Sequence, residues 1–184
     1  MPHDPSPFDL SLDKGPANYT PLSPLSFLKR SAAVYPDKTA VIHGTRRYSY
    51  TEFHERCRRL ASALARHGVD KGDTVAVLAP NVPELLEAHY AVPMLGAVLN
   101  AINIRLDAAT VAFILEHAGA KVLIADTQFH DVIAAAIATL DEPPLVVDID
   151  DAQGQGGERA SEIEYEAFIT NGDENHAWSL PDDE

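Results

Sequence analysis

The sequence predicts an α/β fold, a three-layer unit on a mainly parallel sheet, and three observations carry that expectation. Apolar runs begin at Thr74, Val98, Val122 and Leu145, so they recur after 24, 24 and 23 residues, the length of a strand plus a returning helix. The runs Val75-Ala76-Val77-Leu78-Ala79 and Val122-Leu123-Ile124-Ala125 are apolar without alternation, as strands covered on both faces are. Helical patterns fill the intervals, at 82–95, 108–118 and 129–140. With 184 residues and 46% hydrophobic content the chain is long enough for one such unit with a core of its own.

In chain order, residues 1–23 are rich in Pro, Ser and Asp and read as a flexible arm, whose Phe8 and Leu10 are expected to dock on another surface. A short helix starts near Pro24 and ends before Pro36. Residues 39–43 and 46–50 form a β-hairpin around Gly44-Thr45. Thr51 then caps a helix running to about His67, with Phe53, Cys57, Leu60 and Leu64 recurring on one face and Gly68 ending it. Burying those four side chains contributes on the order of 6–12 kcal/mol before chain entropy is subtracted, so the helix must lie against something. Arg56, Arg59 and Arg66 read as its solvated face. Further along, Asn81 and Glu84 are spaced as a capping box, and Leu106 and Val111 flank Asp107 as a hydrophobic staple. Gly96 and Gly119 stop two helices, Pro93 kinks or shortens one, and Asp126 caps the helix that begins at Thr127. The predicted strands are 74–79, 98–102, 122–126 and 145–149. Beyond Asp148 the pattern gives way to an irregular acidic tail with one short helix near 163–169. The expected division is therefore an arm over 1–23, an α/β subdomain over 24–149 and a linker over 150–184.

The formal charge of −14 is uneven: from residue 151 onward ten carboxylates face Arg159 alone. An acidic chain is repelled by phosphate backbones, which argues against nucleic acid as a partner. No transmembrane segment is expected, because no apolar run approaches a membrane span; the start also lacks a basic region followed by an apolar one, which points to a cytoplasmic location. Cys57, the single cysteine, excludes an internal disulfide and reads as a buried small hydrophobe. There is no GxGxxG after a strand, no GxxxxGK[ST] loop, no HExxH and no GxSxG. Gly154-Gln155-Gly156-Gly157 lies between acidic stretches and reads as flexible linker rather than a phosphate cradle. His54, His89 and His117 fall on separate helices with no partner at i+4, so no metal site is expected.

Several blocks in fixed order carry a resemblance. They are Pro36-Asp37-Lys38-Thr39-Ala40-Val41, Tyr48-Ser49-Tyr50-Thr51-Glu52-Phe53, and 68–77 from Gly68-Val69-Asp70-Lys71-Gly72-Asp73 into the first strand. Pro80-Asn81-Val82-Pro83-Glu84, the run 96–106 from Gly96-Ala97-Val98 to Asn103-Ile104-Arg105-Leu106, and 117–126 from His117-Ala118-Gly119 complete the set. Over about residues 24–184 the chain resembles the amino-terminal part of AMP-forming acyl-CoA synthetases, within the large amino-terminal domain of the adenylate-forming fold. The resemblance implies an enzyme that activates a carboxylic acid, a fatty acid above all, with ATP and Mg2+ to an acyl-adenylate and passes the acyl group to CoA. Dimers are common among such enzymes, so a homodimer is a further expectation. The block at 103–106 is similar to that of fatty-acyl or methylthio-propionate CoA ligases. The family's phosphate loop, adenylate motifs and catalytic lysine would follow residue 184, so no catalytic residue is carried over and the piece alone is expected to be inactive. The loop after the strand at 122–126 can approach the CoA nucleotide in such enzymes, which makes His130 the one candidate cofactor-binding residue. The competing reading is a non-catalytic α/β module that binds CoA or a partner subunit. An unrelated flavodoxin-like domain would account for the period but not for the ordered blocks.

Overall fold

The structure, a computed structural model, describes Gly15, Tyr19 and residues 23–178. Phe8, Leu10 and nearly all of the 1–23 arm lie outside the described residues. Helix α1, Pro24–Val34, is capped by Ser23, whose side chain accepts from the Leu25 amide. Strands β1, Thr39–His43, and β2, Arg46–Ser49, pair antiparallel as the expected hairpin. Helix α2 spans Tyr50–Arg66. Its cap is Ser49 rather than Thr51: Ser49 accepts from the Glu52 amide while the Glu52 carboxylate accepts from the Ser49 amide, a reciprocal pair that places the helix start two residues earlier.

The repeat then unrolls as β3, Thr74–Leu78; α3, Pro83–Met94; β4, Val98–Ala101; α4, Ala108–His117; β5, Ala120–Asp126; α5, His130–Ile137; and β6, Leu145–Ile149. Asp126 caps a 3-10 turn at Thr127–Phe129 that leads into α5. The four strands make one parallel sheet in the order β4-β3-β5-β6, so the predicted α/β architecture is observed. Successive residues point to opposite faces. Val75, Val77, Val122, Ile124, Val147 and Ile149 join α1, α2 and α3 in one core, while Ala76, Leu78, Leu123 and Ala125 join α4 and α5 in another. That is the three-layer arrangement. Cys57 is fully buried in the first core, and burial pushes its thiol pKa well up, as its reading required.

The Asn81–Glu84 box does not form. Val82 is the N-cap of α3 without a side-chain hydrogen bond, Pro83 takes the first helical position, and Glu84 turns inward to Arg46. The arginines of α2 are not a free solvated face either: Arg56 is bound by Glu87 and Glu166, Arg59 by Glu174, and Arg66 by the Asn171 carbonyl. Their partners lie mostly in the acidic segment, which carries α6, Tyr165–Thr170. Tyr165, Phe168 and Ile169 are buried in the first core. Ile163 O accepts from the Asp148 amide, and Asp148 forms a parallel bridge with Glu164, which seals the β6 edge. Over its described part, then, the stretch read as a linker is packed onto the body.

Gly157 and Gly172 allow that packing. A Cβ on Gly157 would overlap the Thr127 carbonyl, and one on Gly172 the Arg59 carbonyl. Because both obstacles are backbone, Gly172→Ala is expected to lower the unfolding free energy by about 1–3 kcal/mol in chemical denaturation. An effect within about 0.5 kcal/mol, the range of surface changes, would contradict the contact.

Candidate functional site

In a sheet of order β4-β3-β5-β6 the chain reverses direction between β3 and β5, and the crevice outside the carboxyl ends of those strands is where open α/β sheets take ligands. Asp126, the last residue of β5, and Thr127, the first of the 3-10 turn, stand at this end of the sheet. Both are almost fully buried, and Asp126 Oδ2 and Thr127 Oγ1 have no hydrogen-bond partner, although Asp126 Oδ1 accepts from the Gln128 amide. His130 stands one turn further on, at the start of α5. Its Nδ1 is buried and unpartnered, its side chain is 28% exposed, and its Nε2 lies 3.9 Å from Glu158 Oε2. No arginine or lysine joins it among the described residues; the neighbour is an acid, which would repel a phosphate.

Residues 151–157 lie across this edge. Gly157 presses on the Thr127 carbonyl, Gln153 packs beside Gly44 of the hairpin, and Asp151 anchors the crossing. Asp151 Oδ2 is 2.8 Å from His43 Nε2, and Asp151 Oδ1 accepts from Arg46 at 3.1 Å; Arg46 also donates to Glu84 Oε1 at 2.7 Å. Burial pushes the Asp151 carboxyl upward, but the Gln153 amide, His43 and Arg46 outweigh it and hold its pKa below the ordinary value. An apolar hollow of about 310 Å³ opens beside this cluster between β1 and the start of α3, with Ile42, Val82, Leu85 and Leu86 in its wall.

A second polar cluster ties the helix layer together. Arg56 of α2 forks onto Glu87 of α3 at 2.6 and 3.3 Å and onto Glu166 at 2.9 and 2.6 Å, while its guanidinium lies 4.8 Å from the Tyr48 ring centroid. Tyr165 donates its hydroxyl to Glu87 Oε2 at 2.7 Å. Glu87 is completely buried, and burial pushes its pKa up to about 7 against the opposing pull of Arg56 and Tyr165. Sequence reasoning passed over Glu87, Asp151 and the role of Arg56; the available signal was two carboxylates, Glu84 and Glu87, in an otherwise largely apolar helix.

These clusters fasten elements together and leave no open, preorganised donor array. Among the described residues there is no group of three or more His, Cys, Asp or Glu able to hold a metal ion, and no helix long and apolar enough to cross a membrane. Within the glycine-rich stretch, Gly157 is packed against the Thr127 carbonyl and Gly154 against Asp151. The described residues therefore do not by themselves fit ATP or Mg2+.

Comparison with known proteins gives the context for this scaffold. Residues 28–183 match the AMP-binding enzyme family. The chain is 45% identical over 185 aligned positions to an acetate–CoA ligase of Humulus lupulus, covering 94% of this chain and 33% of the relative. It is likewise 45% identical to a peroxisomal acetate/butyrate–CoA ligase of Arabidopsis thaliana, covering 94% and 32%. Among solved structures, an anthranilate CoA ligase in complex with anthranoyl-AMP superposes with a TM-score of 0.78 at 22% identity, covering 86% of this chain and 30% of that one. A fatty acyl CoA synthetase of Mycobacterium tuberculosis gives 0.67 at 28% identity, covering 85% and 30%. The chain thus spans about a third of the length of the curated relatives it matches.

Proposed function

We propose, from the premise that this chain belongs to the AMP-binding enzyme family, that it is the amino-terminal scaffold of an ATP-dependent, AMP-forming acid–CoA ligase. The observation that carries the reading is the match over 28–183 on a chain whose own polar clusters are spent on internal fastening. The substrates in this reading are a small carboxylic acid, ATP and CoA, with Mg2+ for the adenylation step. Relatives named for acetate and butyrate favour a short aliphatic acid, the short end of the fatty acids. The same proposal takes 1–23 as an arm, 24–149 as the α/β subdomain and 150–184 as the connection to the nucleotide-binding segment. A cytoplasmic location and a homodimer belong to it too, although one relative is named as peroxisomal.

His130 is proposed as the contact to the CoA nucleotide. Its unpartnered Nδ1 and partly exposed side chain support this, and Glu158 weighs against it. In a ligase carrying this segment, His130→Ala should raise KM for CoA and leave acid-dependent exchange unchanged.

Adenylation needs donors and cations placed in advance around the transferring phosphate. Residues 1–184 alone are therefore expected to give no acid-dependent ATP–pyrophosphate exchange above a no-enzyme blank with acetate, butyrate or octanoate. Exchange above the blank would overturn the scaffold reading. Tight binding of CoA by the same preparation would instead favour the non-catalytic module.

A further inference from the structure

We propose that Lys29, His54 and Arg58 form an anion seat for the carboxylates of Asp182, Asp183 and Glu184 of the same chain. The three bases sit where α1 meets α2. Arg58 Nη2 donates to Asn175 Oδ1 at 3.3 Å, and Lys29 Nζ lies 5.9 Å from the centroid of the Trp178 ring, so the end of the described segment runs beside Arg58 and Lys29.

Their hydrogen-bonding capacity is unfilled. Arg58 Nε and His54 Nε2 are both buried without a partner, and neither Lys29 nor Arg58 has an ion pair among the described residues. This differs from Arg56 and Arg59 on the same helix, each of which meets a carboxylate of the acidic segment. Cations gathered without a counterion repel one another. Burial lowers the pKa of His54, and Arg58 on its own helix and Lys29 on α1 lower it further.

The occupant follows from charge and continuity. The acidic segment already places Glu166 on Arg56 and Glu174 on Arg59. The next carboxylates along the chain are Asp182, Asp183 and Glu184, which lie outside the described residues. Asp182 follows Trp178 by four residues, a reach of about 13 Å in extended chain, enough to return to Lys29, whose ammonium lies over the Trp178 ring. Docked there, the triad would fix the direction in which the polypeptide leaves the body.

The test follows the His54 ring by NMR through a pH titration of residues 1–184, native and with Asp182→Asn, Asp183→Asn and Glu184→Gln together. These changes are near-isosteric and remove only the charges. The seat predicts that His54 titrates about half a pH unit higher in the native chain, and that the difference vanishes at high salt. It also predicts a carbodiimide cross-link from Lys29 to the 182–184 carboxylates by mass spectrometry. Equal midpoints in the two proteins with no such cross-link would overturn the proposal. Equal midpoints that inorganic phosphate raises alike would overturn it in favour of a diffusible anion.

Discussion

Replacing Arg56 with alanine is expected to lower the unfolding free energy by about 3–5 kcal/mol at pH 8, because it leaves the Glu87 carboxylate buried without its cation. Burial opposes the charge on Arg56 as well, and Glu166 and Glu87 outweigh that, so the guanidinium remains charged throughout. The loss depends on pH in a defined direction. Burial holds Glu87 at about 7 when folded, against 4.5 for a free carboxyl, so its stabilising contribution is complete below about 4.5 and is lost as pH rises through 7. At pH 5.5 Glu87 carries a proton with or without Arg56, and the effect of Arg56→Ala should shrink. Adding Glu87→Gln should recover part of the loss at pH 8. Urea denaturation of the single and double variants at the two pH values checks this. A loss below about 0.5 kcal/mol at pH 8 would reduce the cluster to an exposed surface pair.

Tyr165→Ala carries an effect of similar size for a different reason. The ring is fully buried, and its hydroxyl is a hydrogen-bond donor to Glu87. Truncating a buried aromatic residue removes transfer energy and leaves a cavity, together about 3–5 kcal/mol. Tyr165→Phe separates the two contributions: it keeps the packing and withdraws only the donor, which is worth about 1.5–3 kcal/mol to a charged acceptor. Were 150–178 a free connector, both variants would unfold with the native chain, and thermal melts would coincide.

The parts legible in the sequence were those set by local rules. The 24-residue period, the unalternating apolar runs and the punctuation by Gly96 and Gly119, both at positive φ, report on neighbours a few residues apart, and the sheet followed from them. Asp126 and Asp107 capped as their positions implied. The failures share a cause. Arg56 meets Glu166 across 110 positions, and Arg46 meets Asp151 across 105, so no window of sequence contains both partners. With its partners out of sight, Arg56 looked like a solvated charge and the acidic segment like a linker. Glu84 looked like a cap for the same reason, although Arg46 draws it inward. The glycine-rich stretch misled in another way: Gly157 is there for close approach to the Thr127 carbonyl, which composition cannot distinguish from flexibility.

The candidate site was less legible than the fold because the crevice at the β3–β5 reversal is crossed by residues 151–157. The features that usually mark such a crevice are therefore used to hold the crossing segment. His130 lies at that edge but faces Glu158, and only the resemblance singled it out.

The claim that this chain is the scaffold of an acid–CoA ligase is tested most directly by exchange of parts. Residues 1–184 would replace the matching third of the Humulus lupulus acetate–CoA ligase, and acetate-dependent ATP–pyrophosphate exchange would be measured on the purified chimera. The account predicts exchange at no less than about a hundredth of the parent rate, a barrier increase of under about 3 kcal/mol. A folded, soluble chimera that exchanges no faster than the blank would contradict it.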